Sequence, residues 1–116
     1  MSVVTTLMLH VDFVEYRVTL DMLNRWLAEQ RYLPLTENTE VDAAWGGGKR
    51  PQVQVFSGAY NVFPTERFMA YLASLSWEYP DSVQLFVNED QDKRFAVYLL
   101  MPDRSWHQLC DANGPP

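Results

Sequence analysis

Apolar positions recur along this chain with two periods, and the switches between them mark out its elements. Val3 to Val14 is dense in Val, Leu, Met and Phe and reads as a first strand with an irregular end near Asp12. Leu20, Leu23 and Leu27 then recur at helical spacing beside Met22 and Trp26, while Asn24, Arg25, Glu29 and Arg31 fall away from that stripe. Thr19 is the expected N-cap and Asp21 suits the positive end of the helix dipole, so the spacing predicts a helix over Thr19–Arg31. Pro34 lacks a backbone donor and biases its predecessor toward extended geometry, which stops that helix.

The stretch from Leu35 to Pro51 is more ambiguous. Thr39, Val41, Ala43 and Trp45 can share one face of a short strand, turned by Gly46-Gly47-Gly48 into a second strand over Gln52–Phe56. A loop of about fifteen residues is the alternative, a length uncommon in compact domains without a function. Pro64-Thr65-Glu66 opens a second helix whose stripe is Phe68, Tyr71, Leu72 and Leu75, ending near Trp77. After the turn at Pro80-Asp81-Ser82, Val83, Leu85 and Val87 alternate with Gln84 and Phe86. Asn88 to Asp92 forms a polar tip, and Arg94–Met101 returns with apolar residues on both faces, which completes a β-hairpin.

This order implies an α+β fold, a two-layer sandwich of ferredoxin-like β-α-β-β-α-β-β order. Two helices would cover one face of a mostly antiparallel sheet. The two helices echo each other: Leu23, Trp26, Leu27, Ala28 and Tyr32 match Phe68, Tyr71, Leu72, Ala73 and Trp77 in type and spacing. Residues 1–102 are expected to form one domain and 103–116 a tail, partly packed and then frayed. The second face of the last strand is either covered by that tail, through Trp106 and Leu109, or left as an adhesive surface.

Composition narrows the function. At 116 residues with 47% apolar residues, the chain suits one folded domain. A net charge of −6, with basic residues scattered, disfavours binding to nucleic acid or to an anionic membrane surface. One cysteine, Cys110, allows no intrachain disulfide, and the N-terminus has no basic segment followed by an apolar core. A cytoplasmic location is expected on those grounds.

Candidate chemistry is sparse. The Gly46-Gly47-Gly48-Lys49-Arg50 run lacks the first glycine and the hydroxyl residue of a phosphate-binding loop, and Pro51 follows at once. His10 and Asp12 share a strand face without an identifiable nucleophile, and neither His10 nor His107 clusters with Cys110. Asn88-Glu89-Asp90-Gln91-Asp92 lacks the central glycine and closing glutamate of a calcium loop. No catalytic residue, metal site or cofactor is therefore expected, and no enzymatic activity.

Recognition remains. Four Trp, six Tyr and six Phe exceed what a core this small readily encloses, so some should reach the surface. The candidate partner interface is Trp45, Lys49, Arg50, Glu89, Asp90, Asp92, Tyr98 and Trp106. Glu37, Glu40, Asp42, Glu89, Asp90 and Asp92 would make an acidic rim able to steer a basic partner. The expectation is a small acidic domain that binds another protein and inhibits or neutralises it, by analogy with bacterial immunity proteins and phage-encoded inhibitors of host defence. The alternatives are a self-associating structural or regulatory module, a homodimer through its sheet, and a small-ligand sensor.

Overall fold

A computed structural model describes residues 4–37 and 53–114. The elements run β1 (Val4–Asp12), a 3₁₀ turn (Phe13–Glu15), α1 (Tyr16–Glu29), β2 (Thr36–Glu37), β3 (Val53–Asn61) and α2 (Thr65–Ser74). A second 3₁₀ turn (Pro80–Ser82), β4 (Gln84–Glu89), β5 (Ala96–Leu100) and β6 (Trp106–Cys110) complete the chain. The six strands form one sheet in the order β2-β3-β1-β4-β5-β6, with every neighbouring pair antiparallel. The fold is α+β, as the periodicities imply. The expected hairpin strand through Trp45 lies outside the described residues.

The core explains which way each strand faces. Leu7, Leu9 and Val11 of β1 are buried, as are Phe56 and Tyr60 of β3 and Leu85 and Val87 of β4. Register aligns them: Leu9 sits between Phe56 and Leu85, and Leu7 between Gly58 and Val87. These side chains meet Leu23 and Leu27 of α1 and Phe68 and Leu72 of α2 in one cluster, which places both helices on one face of the sheet. Of the echoed pairs, Trp26 and Tyr71 meet directly, stacked with ring centroids 5.5 Å apart. Such burial contributes about 25 cal/mol per Å² of apolar surface removed from water, the main favourable term.

Several boundaries move from their sequence expectations for identifiable reasons. α1 begins at Tyr16 rather than Thr19, so Thr19 lies inside the helix and Glu15 holds the N-cap position. Its C-terminus closes as a Schellman motif: Tyr32 N–H donates to Leu27 O at 2.8 Å and Arg31 N–H to Ala28 O at 3.0 Å. Arg31 takes the left-handed conformation usual for glycine there, with φ 67°. α2 ends at Ser74, where the buried Trp77 turns back and its indole N–H donates to Leu72 O at 2.7 Å. β3 continues past Phe56 to Asn61 because Gly58, which looks like a turn residue, makes room for a ring. A Cβ at that position would lie 2.6 Å from the Tyr60 hydroxyl.

The tail is the largest departure. Trp106–Cys110 forms a full edge strand on β5 instead of folding over the sheet. Beyond it, residues 111–114 wrap the β4–β5 turn. Arg94 donates to the carbonyls of Asp111 and Gly114, and Asn113 Nδ2 donates to Asp92 Oδ1 at 2.9 Å.

Candidate functional site

Antiparallel register brings three connections to one end of the sheet. Val4, at the start of β1, pairs with Asn61 at the end of β3, and Thr5 pairs with Glu89 at the end of β4. The β3–α2 connection, the β4–β5 turn and the α1–β2 connection therefore share this end. Two large aliphatic side chains stand out from it: Leu33 is 79% exposed and Val62 74%. Val4, at 39%, adds to the same end.

These exposures are held in place by a reciprocal pair of tyrosines. Tyr32 O–H donates to the Val62 carbonyl at 2.8 Å, and Tyr60 O–H donates to the Leu33 carbonyl at 2.9 Å. Each ring thus ties the loop beside it to the backbone of the other exposed residue. Tyr32 meets Tyr60 edge-on, Tyr60 stacks on Phe63 at 4.8 Å, and Phe63 leads through Phe68 to Trp26 and Tyr71. The base under the two aliphatic side chains is one continuous aromatic network. Burial pushes the Tyr60 phenol up to about 12 from 10.0.

Val62 sits there at a conformational cost, with φ 50°. A β-branched residue in the left-handed region is an outlier, and strain of this kind collects at functional surfaces. Leu33 and Val62 were missed in the sequence because an apolar identity ordinarily signals the core.

Beside them lie the acidic residues of the β4–β5 turn. Glu89 and Asp90 are exposed, and Thr65 at the start of α2 donates to Glu89 Oε1 at 3.4 Å. Asp92 differs: its carboxylate accepts from Glu89 N–H at 2.8 Å and from Asn113, so it builds the turn. Tyr98 lies near this turn on the helix-facing side, half-buried. Burial first, then Asp111, Glu89 and Asp92, raises its phenol above 10.0. Trp106 is committed elsewhere, its indole N–H donating to Met69 O of α2 at 3.0 Å. Of the candidate interface residues, Glu89, Asp90, Asp92 and Tyr98 gather at this end, whereas Trp106 lies toward the other. Trp45, Lys49 and Arg50 lie outside the described residues, as do Glu40 and Asp42.

The chemistry considered from sequence takes a structural form. His10 Nδ1 lies 2.7 Å from the Ser82 carbonyl and so donates to it, while Asp12 Oδ1 accepts from Val14 N–H at 3.0 Å. Histidine and aspartate thus serve separate backbone partners. Glu15 is buried, and its two oxygens accept from Glu78 N–H at 2.8 Å and Tyr79 N–H at 3.2 Å, tying the start of α1 to the segment after α2. An open cleft of about 530 Å³ runs along the last turns of α2, lined by Ala70, Ala73, Ser74, Leu75, Ser76, Arg104 and Trp106. Among the described residues that line it, Arg104 is the one that carries a charge. Among the described residues, no group of three or more His, Cys, Asp or Glu side chains is placed to hold a metal. No helix among them is long and apolar enough to cross a membrane.

Comparison with family models, curated proteins and solved structures finds no match to this chain. The geometry of the surface therefore carries the functional reading.

Proposed function

We propose that this chain is a small acidic protein-binding domain that inhibits or neutralises a macromolecular partner, in the manner of immunity proteins or anti-defence inhibitors. The partner presents a basic surface with an apolar centre, and the contact forms at the end of the sheet bearing Leu33 and Val62. The observation that carries this reading is the pairing of Tyr32 and Tyr60, which holds two exposed aliphatic side chains outward, one on strained backbone, beside Glu89 and Asp90. Preorganised apolar anchors supply affinity, because little conformational freedom is lost on docking. Neighbouring carboxylates supply steering and exclude acidic competitors. The role is recognition, without catalysis or a cofactor, and the net charge of −6 fits a protein partner better than nucleic acid. The fold read here is a ferredoxin-like arrangement over β1-α1-β2-β3-α2-β4, extended by β5 and β6, and the lone Cys110 fits a reducing cytoplasm.

Affinity capture from lysate of the native host tests the proposal, with wild type, a Leu33→Ser/Val62→Ser variant and a Glu89→Lys/Asp90→Lys variant as baits. A partner held by wild type should be lost with the serine variant at all salt concentrations. With the lysine variant it should be lost mainly at low salt, where surface charge acts over the longest range. Recovery of the same proteins by all three baits would refute it.

A further inference from the structure

We infer that this chain forms a two-fold homodimer through β6, with Gln108 of each copy lying opposite Gln108 of the other. This surface is separate from the end of the sheet assigned to the partner.

An edge strand displays unpaired backbone donors and acceptors, which proteins normally blunt with lysine, proline or a covering segment. Among the described residues β6 closes one end of the sheet order; it reads Trp106-His107-Gln108-Leu109-Cys110, contains neither lysine nor proline, and its one backbone carbonyl with a side-chain partner of its own is that of Cys110, which accepts from Gln108 Nε2 at 3.4 Å. His107, Gln108 and Leu109 are exposed, Leu109 by 56%. The register shift between β5 and β6 falls at Val97/Tyr98, toward the Cys110 end, and leaves Trp106 to Gln108 in regular pairing with β5. A chain of net charge −6 repels its own copies over most approaches. β6 carries no Asp, Glu, Lys or Arg, so two copies can meet there without opposing like charges.

Antiparallel pairing about Gln108 is self-complementary. It sets Trp106 opposite Cys110 and His107 opposite Leu109, each pair occurring twice, so the exposed Leu109 gains a ring as its cross-strand neighbour. The two-fold axis runs perpendicular to the sheet, so both six-stranded sheets join into one and all helices stay on the same side.

Sedimentation equilibrium of the full chain tests this with wild type, Gln108→Lys, Gln108→Glu and an equimolar mixture of the two variants. Wild type should approach twice the chain mass of 13.5 kDa as concentration rises. Each variant alone places like charges opposite each other at the axis and should associate about fivefold more weakly or worse. The mixture should regain the dimer, because lysine then faces glutamate. Wild type remaining at single-chain mass would overturn the inference. So would undiminished dimers of either variant, or a mixture no better associated than its components.

Discussion

Val62 offers the sharpest test of the candidate site, because two variants there should differ in stability without differing in binding. At φ 50° a Cβ crowds the backbone, which costs roughly 1–2 kcal/mol for an L-residue. Glycine removes that cost but carries about 0.5–1 kcal/mol of extra unfolded-state entropy. The side chain is 74% exposed, so truncating it gives up little burial. Val62→Gly should therefore be more stable than Val62→Ala by roughly 0.5–1 kcal/mol, the reverse of the order at an ordinary strand or helix position. Urea denaturation with a common m-value measures the difference, and a thermal scan should show Val62→Gly melting a few degrees above Val62→Ala. Both variants should bind the partner equally poorly, because both lack the isopropyl group. A glycine variant less stable than the alanine variant would show that the backbone is unstrained and remove one support of the site.

Four further outcomes follow from the same geometry. Glu15→Ala should lower stability by about 2–4 kcal/mol in urea titration, because two backbone N–H groups lose a charged acceptor in a buried setting. Tyr60 has a folded pKa of about 12 against 10.0, so its stabilising effect is whole below pH 10 and is lost as pH rises from there to about 12. Tyr60→Phe should flatten that alkaline limb in a stability-versus-pH series, while lowering stability at neutral pH through loss of the bond to Leu33 O. Gly58→Ala should cost about 1–3 kcal/mol, since the new methyl would displace the Tyr60 ring, and near-ultraviolet circular dichroism should report the disturbed ring packing. Trp106→Ala should release β6 from α2 and speed amide exchange across Trp106–Cys110 more than across β1, which lies at the sheet centre.

Much of the architecture was legible because burial imposes period on sequence. The Val83, Leu85, Val87 alternation reads as a strand, and those residues are buried while Gln84 and Phe86 face the other way. The helical stripes were equally plain, since Leu23, Leu27, Phe68 and Leu72 all lie fully inside. Propensity failed where one residue's role depends on a distant one. Gly58 looks like punctuation until the Tyr60 ring is seen to lie over it. Glu15 looks like a solvated acid until residues 78 and 79 fold back to it. Trp106 to Cys110 alternates poorly, with exposed residues on both faces, so only its pairing with β5 makes it a strand.

The candidate site shows the same division more sharply. The acidic turn was visible as a run of letters, whereas the aliphatic pair was not. The abundance of aromatic residues suggested rings at the surface, and Tyr79 is exposed while several others are half-buried, yet the rings beneath this end lie inside: Phe68 is fully buried, and Tyr60 and Phe63 nearly so. Their packing is what leaves Leu33 and Val62 outside. The left-handed Arg31 that closes α1 turns the chain so that Tyr32 enters the aromatic network and the next side chain, Leu33, stays out. At the second loop, strained Val62 stands between exposed Asn61 and buried Phe63. On the proposed function, the rings are the scaffold of this surface and the aliphatic side chains its contact atoms. On that division, Tyr32→Phe should weaken partner binding by freeing the Val62 loop, although the tyrosine hydroxyl is bound internally to the Val62 carbonyl. Partner binding unchanged in Tyr32→Phe would mean that the exposed pair needs no such support.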